Sequence, residues 1–336
     1  MESTAAPKPV HVSRRHLFLI NPAAKRIKGR VKPVKDAIAA FFAKHTWIKR
    51  DVYVSEWCRD SVTYIQQYIA GANGEPVRIH VMGGTGALFE VINSVVGLPN
   101  VEVASYPYGK ANVFLKYFGA KNEKLFSSIN SQVFDASVPM DILRCGNNYG
   151  ICYGMAGAEA HANVLGDKMM RLGLPGDLSY TLAGMIMVLS GRASQKYFIE
   201  IDGNRIEGDF ISVMAANAPC YGLNMHPAVD AHPDDGVLDV YVVKNAPMIK
   251  LIRRIPGYTR GNYRKMPDLV THYRAKKIKL SSDEVMCMSV DAEHFYGMSI
   301  EYEVMPHAFQ FVCPVGIDPM KLPRIYNRPR EGPRGE

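Results

Sequence analysis

Residues 77–97, VRIHVMGGTGALFEVINSVVG, constrain the fold more than any other stretch of this chain. The segment 77–82 reads as a largely buried strand, and apolar residues at helical spacing from Ala87 onward predict a helix with one buried face. The glycine-rich turn 83–86 lies between them. Glycines let the backbone approach a ligand closely, and a helix N-terminus presents free N–H groups, so the turn is typical of a phosphate cradle. An ordinary tight strand–helix turn also requires small residues, and the stretch alone does not separate the two.

Strands and helices alternate through the first 132 residues. Predicted strands at 16–20, 51–55, 77–82 and 101–104 are interleaved with predicted helices at 34–45, 59–70, from 87 and at 111–118. This order predicts a parallel, doubly wound sheet, in which ligands bind beyond the carboxyl ends of the strands. Asn21, Ser55 and the turns 83–86 and 107–110 all follow such ends. Their expected convergence on one rim favours the phosphate-cradle interpretation.

From residue 133 onward, short β segments dominate, and most are too close together for crossover helices. Strands are predicted at 141–145, 149–153, 196–201, 210–216, 238–243, 276–280, 285–290, 299–304 and 309–313, and helices at 159–171, 178–189 and 247–254. The pattern indicates an antiparallel sheet or sandwich. The fold class is therefore α/β, with a doubly wound parallel-sheet domain at 15–132 and a β-rich domain at 133–322. Residues 1–14 and 323–336 are predicted to be a disordered lead-in and tail.

The charge of the chain favours anionic partners. The net charge is +8 and the pI is about 9.0, which suits phosphorylated nucleotides, acidic membrane surfaces or nucleic acid. No zinc finger, recognition helix or RNP-type sequence is present, so we expect no nucleic-acid partner. The six cysteines form no C-x-x-C pair, and the chain has no signal-peptide pattern, which indicates a cytoplasmic protein with reduced thiols. The longest apolar helical stretch is too short to span a bilayer, so any membrane contact should be peripheral.

Several segments, in a conserved order and at similar spacing, carry a resemblance to one family. They are Asn21-Pro22 after the first strand, 83–93 (GGTGALFEVIN), 107–112 (PYGKAN), Asp141-Ile142, 234–240 (DDGVLDV) and 291–293 (DAE). Together these residues resemble the diacylglycerol kinase catalytic-domain family, in its bacterial soluble lipid kinase branch, with sphingosine and ceramide kinases as relatives. NAD kinases share the glycine-rich element, but the DDGVLDV segment favours the lipid kinases.

The resemblance implies an N-terminal domain that binds ATP and a C-terminal domain that receives a lipid, with the reaction in the cleft between them. It implies that Asp291 and Glu293, in a D-G-E-like motif, are catalytic residues, and that Glu293 accepts the proton of the lipid hydroxyl. Carried over by position, the nucleotide-binding residues are Asn21, Ser55, Gly83, Gly84, Thr85, Gly86, Ala87, Glu90, Gly109, Lys110 and Asn112. The resemblance also implies Mg²⁺ with the nucleotide and a structural Mg²⁺ held by Asp235 and the carbonyls of His232 and Val237. The alternative for that loop is an Asx turn leading into a strand.

The departures from the family pattern concentrate at the nucleotide site. Thr85 stands where the family has an aspartate, Ala87 and Lys110 where it has threonines, and Val113 where it has an aspartate. Two carboxylates expected near Mg²⁺–ATP are therefore absent, which should slow phosphoryl transfer. One interpretation is a divergent kinase that orders Mg²⁺ with other groups such as Glu90 or Asp141. The other is a catalytically impaired pseudokinase that binds a nucleotide or an anionic lipid.

Two further stretches are compatible with a lipid substrate at a membrane. Basic residues between 250 and 279 alternate with aliphatic and aromatic ones, which suits docking on an anionic membrane but equally a solvated face. The apolar helix 178–189 could line an acyl pocket, although a buried core helix is the favoured interpretation. His294 is the one histidine beside the expected chemistry. The sequence does not identify the lipid, and a homodimer is possible.

Overall fold

The computed structural model describes residues 14–56, 60–110, 112–119, 122–190, 194–219, 225–291 and 293–317. Residue 13 and those before it, and residues 318–336, lie outside this set. Almost all of the predicted lead-in and all of the predicted tail are therefore outside the described residues, as are Cys58 and Cys220. The other four cysteines are buried free thiols.

The N-terminal part is a parallel sheet with helices on its faces, as predicted. Its strands are β1 (Arg15–Ile20), β2 (Arg50–Val54), β3 (Val77–Gly83) and β4 (Val101–Pro107), in the order β2-β1-β3-β4. Its helices are α1 (Val31–Ala43), α2 (Asp60–Ala70), α3 (Thr85–Val95) and the short α4 (Ile129–Phe134). Every residue of β3 is buried, so the organising strand lies in the middle of this layer and delivers the glycine turn to its edge.

The predicted helix at 111–118 is a 3₁₀ helix over Phe114–Phe118, and a second one covers Leu125–Ser127. The segment is bounded by Asn112 and Gly119, which both have positive φ angles. Such residues interrupt an α-helix, so the segment is shorter than the apolar spacing suggests. Ala111 lies outside the described residues.

The C-terminal part is built from antiparallel strands with three helices. Its strands are β5 (Ser137–Cys145), β6 (Asn148–Gly150), β7 (Tyr153–Gly157), β8 (Gln195–Ile201), β9 (Asn204–Ala216), β10 (Leu238–Lys244), β11 (Val270–Ala275), β12 (Lys277–Val290) and β13 (Glu293–Val312). The helices are α5 (Ala158–Arg171), α6 (Gly176–Leu189) and α7 (Met248–Tyr258), followed by a 3₁₀ turn at Asn262–Lys265. The antiparallel architecture is as predicted, and it includes one strand, β11, that the sequence did not indicate.

Three predicted strand assignments are wrong in detail. The segment 149–153 is two strands, because the backbone N–H groups of Ile151 and Cys152 bind the Asp291 carboxylate instead of a neighbouring strand. We predicted separate strands at 276–280 and 285–290, which in the structure form one long strand, β12. The separate strands predicted at 299–304 and 309–313 likewise form one long strand, β13. Register shifts interrupt the pairing in both places, so the polar residues at those irregularities resemble loops in the sequence.

A single sheet runs through both parts of the molecule. β13 pairs with β12 and β5 in antiparallel fashion, and Gln310 and Phe311 near its end pair with β4 in parallel fashion. The predicted division at 132/133 falls inside α4, just before β5. The last strand of the β-rich part therefore returns to become a neighbour of the N-terminal sheet.

A histidine pair lies inside the N-terminal sheet layer. Nδ1 of His16 lies 2.9 Å from Nε2 of His80, and His80 stacks on Phe18 with ring centroids 4.0 Å apart. Burial, with the nearby Arg78 guanidinium, lowers the pKa of His16 to about 3. Both imidazoles are therefore neutral parts of the core.

Candidate functional site

The glycine turn after β3 leaves the N-terminus of α3 open. The first intrahelical hydrogen bond runs from the N–H of Leu88 to the carbonyl of Gly84. The cap residue is Gly84, which has no side chain to accept from the N–H groups of Thr85, Gly86 and Ala87. These three donors lie at the positive end of the helix dipole, a position of the kind at which proteins bind phosphate groups.

Two glycine loops meet directly at this edge. A Cβ atom on Gly109 would lie 2.4 Å from Cα of Gly84, so the backbones of the two loops are in contact. The N–H of Gly109 donates to Oδ1 of Asn112 at 2.9 Å, which fixes the second loop. Asn21 lies beside Gly83, where a glycine Cβ would come within 3.5 Å of the asparagine Cβ. Asn21 and the two glycine loops therefore lie together on one rim of the sheet, and the binding of phosphate there stays a prediction.

The remaining nucleotide-site candidates lie on or near this rim. Ser55 follows β2, and its N–H donates to the carbonyl of Ile20 at the end of β1. Glu90 lies one turn along α3, but its Oε2 accepts from the hydroxyl of Ser61 on α2 at 2.7 Å. It is thus directed towards α2 rather than free to replace the missing carboxylates.

The altered residues give the rim a different chemistry. The hydroxyl of Thr85 accepts from the N–H of Val113 at 3.4 Å, so two of the positions that depart from the family pattern contact each other. The Lys110 ammonium lies 3.2 Å from Sδ of Met170 on α5. It brings a positive charge to the place where the rim approaches the C-terminal part.

Asp291 is a buried anchor. Its carboxylate is 2% exposed and accepts three backbone N–H bonds, from Ile151 at 2.7 Å, Cys152 at 2.9 Å and Tyr153 at 3.0 Å. Burial raises its pKa to about 6, against the opposing effect of those three donors. With φ of 47° it forms the turn between β12 and β13, and Ala292 next to it lies outside the described residues.

Glu293 begins β13, half-buried, on the face of the hairpin that α3 shares. It is opposite Val290 in the register. Val290 and the next residue on this face, Phe295, belong to the same apolar cluster as Phe89 of α3. In addition, Asn93 of α3 exchanges two hydrogen bonds with the backbone of Tyr149, just before the segment that holds Asp291. The hairpin that carries Glu293 and helix α3 therefore contribute to one apolar cluster, and Asn93 ties α3 to the segment before Asp291.

His294, the one histidine that the sequence places beside the expected chemistry, lies on the opposite face of this hairpin, and its partner Asp167 was not predicted. Successive strand residues point to opposite faces, and His294 points to α5, where its Nε2 lies 3.7 Å from Oδ2 of Asp167. The hydroxyl of Tyr180 on α6 donates to Asp167 at 2.5 Å. Burial alone would raise the pKa of Asp167, but the bonds from His294 and Tyr180 outweigh it and lower the pKa. Asp167 and Met170 are three residues apart on one helix, so His294 and Lys110 approach the same face of α5.

An apolar cavity of about 110 Å³ lies between α5, α6, α7 and strands β9 to β11. Most of its walls are aliphatic, such as Met187 and Ile255, and its polar exceptions include Glu159, which accepts from the Ser212 hydroxyl at 2.9 Å. Tyr180 forms part of the wall, while its hydroxyl reaches Asp167 outside. The cavity is therefore separated from the Asp167–His294 pair by one side chain. Helix α6 is not the buried core helix that we favoured: it lines a cavity on one side and is exposed on the other.

The loop before β10 is already neutralised by protein groups. The Arg274 guanidinium pairs with Oδ2 of Asp235, and Oδ1 of Asp235 accepts from the N–H of Val237 at 3.3 Å. Burial raises the pKa of Asp235 to about 6, with Arg274 opposing this effect. A cation held by Asp235 and the carbonyls of His232 and Val237 would share this carboxylate with the arginine, which already balances its charge, and the structural Mg²⁺ stays a prediction. Among the residues that the structure describes, no three His, Cys, Asp or Glu side chains are arranged to hold a metal ion.

Asp141 organises that same loop. Its two oxygens accept from the N–H groups of Gly236 at 2.7 Å and His307 at 2.9 Å. The carboxylate is completely buried. It is therefore committed to the backbone of the fold and does not supply a ligand for Mg²⁺–ATP.

Comparisons with known proteins agree with this architecture. Residues 153–313 match the model of the YegS C-terminal NAD kinase beta sandwich-like domain. A protein of Shewanella frigidimarina named a probable YegS-like lipid kinase is 26% identical over 268 residues, covering 79% of this chain and 84% of its own. A Staphylococcus aureus protein (strain MRSA252) named as a candidate lipid kinase is 26% identical over 293 residues, covering 86% and 92%.

Solved structures show the same fold. A protein of Bacillus anthracis described as a candidate diacylglycerol kinase superposes with a TM-score of 0.68 at 18% identity, covering 90% of this chain and 98% of its own. These similarities confirm both the predicted fold class and the resemblance to diacylglycerol kinase-like proteins. No helix in the described ranges is long and apolar enough to cross a bilayer.

Proposed function

We propose that this chain, with its YegS-type C-terminal domain, is a lipid kinase that transfers the γ-phosphate of ATP to a lipid hydroxyl. The observation that carries the proposal is the meeting of the phosphate rim and the apolar cavity at α5. Lys110 contacts Met170 of that helix, and Tyr180 joins Asp167 of the same helix to the cavity wall. An anion site next to an apolar cavity suits a reaction between a nucleotide and a lipid. The names of the relatives support this assignment.

In this proposal the residues have separate roles. The open N–H groups at the start of α3 bind the phosphates of Mg²⁺–ATP, which enters as a substrate, and Lys110 adds a point charge. Glu293 takes the proton from the lipid hydroxyl while the lipid oxygen attacks the γ-phosphorus and the bond to ADP breaks. Asp291 is a positioning residue, because it fixes the turn that carries Glu293. The lipid is of the diacylglycerol or sphingoid type and is taken from a membrane surface by peripheral contact.

A second candidate is a pseudokinase that binds a nucleotide or an anionic lipid without phosphoryl transfer. The observation that favours it is that the two carboxylates considered as replacements for the missing ones are engaged elsewhere, Glu90 by Ser61 and Asp141 by backbone N–H groups. Under this alternative, Lys110 retains the nucleotide phosphates but the metal lacks protein ligands.

The experiment that separates the two candidates is transfer of labelled γ-phosphate from ATP to a lipid extract in the presence of Mg²⁺. We expect a labelled lipid, and we expect Glu293→Gln to lower the rate by about 100-fold or more, as loss of a general base does. Glu207→Gln, at an exposed position of the same domain, is the matched control and should retain the rate. ATP binding with no labelled lipid from the unaltered protein would establish the pseudokinase instead.

A further inference from the structure

Helix α6 presents a continuous apolar stripe to solvent. Leu178, Leu182, Ile186 and Leu189 are 54%, 36%, 38% and 56% exposed. Their spacing of four, four and three residues places them on one face of the helix. Aligned apolar side chains of this kind mark an interaction surface, whereas exposed apolar residues scattered singly do not.

Further exposed apolar side chains lie on the elements that neighbour α6. Helix α6 packs against α5 and α7. Leu172, in the turn between α5 and α6, is 82% exposed, and Met248 and Ile249 at the start of α7 are 42% and 66% exposed. These residues and the stripe of α6 together form what we call the α6 surface.

Exposed cations flank the α6 surface. Lys168 and Arg171 lie in the last turn of α5, and Arg253 lies on α7. Other basic residues of this region are committed to ion pairs, Lys250 with Asp268 and Arg264 with Asp230. An apolar band bordered by lysine and arginine is complementary to a bilayer that contains anionic lipids.

The opposite side of α6 faces the cavity. Thr181, Gly184 and Met187 line it, so one helix separates the cavity from the α6 surface. We propose that the α6 surface docks the protein on an anionic bilayer and thereby places the cavity against the membrane that supplies its lipid. The last part of this inference rests on the proposed kinase function, whereas the docking itself does not.

The test is co-sedimentation of the full chain with vesicles. We expect binding to vesicles of phosphatidylglycerol mixed with phosphatidylcholine, weaker binding to phosphatidylcholine alone, and loss of binding at high salt. The double substitution Leu182→Glu and Ile186→Glu should weaken binding by about tenfold or more, because it puts two charges into the apolar band. Val315→Glu, at an apolar side chain that is 78% exposed outside this surface, is the matched control and should bind normally. Equal binding by both variants would overturn the proposal.

Two further measurements keep the result interpretable. Size-exclusion chromatography with light scattering tests a second copy of the chain as the occupant, and a dimer that dissociates on the double substitution would overturn the bilayer as partner. If the kinase proposal holds, the double substitution should lower the rate at which lipid in vesicles is phosphorylated more than the rate at which a soluble short-chain lipid is phosphorylated. The ratio of the first rate to the second should therefore fall. If the chain phosphorylates no lipid, the vesicle experiment still decides the docking proposal.

Discussion

Replacement of Asp291 by alanine should destabilise the fold strongly and by an amount that the structure allows us to work out. The substitution leaves three buried N–H groups without acceptors, those of Ile151, Cys152 and Tyr153. Each such donor costs about 2 kcal/mol. A left-handed φ at an alanine adds about 1 kcal/mol, since residue 291 has φ of 47°.

One term opposes this loss. The pKa of Asp291 is raised from 3.8 to about 6 by burial, so the charged carboxylate costs the folded state about 3 kcal/mol at neutral pH. Removing it returns that free energy, and the expected net destabilisation by Asp291→Ala is about 4 kcal/mol. Asp291→Asn keeps one acceptor oxygen, for the N–H groups of Cys152 and Tyr153, but turns an amide NH2 toward the N–H of Ile151. The lost acceptor costs about 2 kcal/mol and removal of the charge returns about 3 kcal/mol, so the net effect should be within about 1 kcal/mol of zero.

The assay is urea unfolding followed by circular dichroism at neutral pH. Asp283→Ala, at an exposed carboxylate on the same strand, should change the free energy of unfolding by less than about 0.5 kcal/mol. Equal costs for the alanine and asparagine variants would refute the hydrogen-bond reasoning. The titration gives a second check: a raised folded pKa means that the folded state binds the proton more tightly. The stability of the unaltered protein relative to Asp291→Asn should therefore rise as the pH falls through about 6 to below about 4.

Two other perturbations test the rim and the buried histidines. Gly109→Ala should abolish the thermal shift caused by ATP, because the added Cβ would lie 2.4 Å from Cα of Gly84. Gly184→Ala on α6, where an added Cβ meets no atom within 4 Å, is the control and should preserve the shift. Equal shifts would show that the loops need not touch. His16, with its pKa lowered to about 3 by burial, stays neutral in the fold while the unfolded chain takes up a proton below about pH 6.5, so stability should fall on acidification. His16→Asn, which removes one member of the pair with His80, should show a shallower fall in unfolding titrations, and an unchanged slope would exclude this origin.

The parallel sheet and its ligand edge were predictable because their signals are local. These signals are the strand 77–82, the glycines after it and the helical spacing from Ala87. They lie within one strand–turn–helix unit, where the periodicity of the apolar residues directly reflects which side chains are buried. The antiparallel character of the second half was also predictable, from the short intervals between its β segments. Strand β11 was missed because His272, Tyr273 and Arg274 give it a polar sequence at one side of the sheet.

The parts of the site that were not predictable depend on contacts between distant residues. Nothing in the sequence near Asp167 indicates that His294 reaches it, and nothing near Asp235 indicates Arg274. The role of Asp291 as an acceptor for the segment 151–153 is likewise invisible without the fold. The resemblance places Asp291 within a motif, but only the structure supplies a physical reason for a carboxylate there.

The path of β13 limits how the two halves of the molecule can move. Its final residues and β5 form a two-stranded ribbon that crosses from one half to the other, instead of the pair of flexible linkers expected of a swivelling two-domain protein. A two-stranded ribbon resists twisting and bends most easily where its ladder of hydrogen bonds is interrupted. In this ribbon the interruption lies between Met305 and Phe309, and His307 within it has a positive φ. We therefore expect any movement of one half against the other to bend the ribbon at this point. For the same reason the halves are not separable: a fragment that ends before β13 leaves β4 and β5 with bare edges.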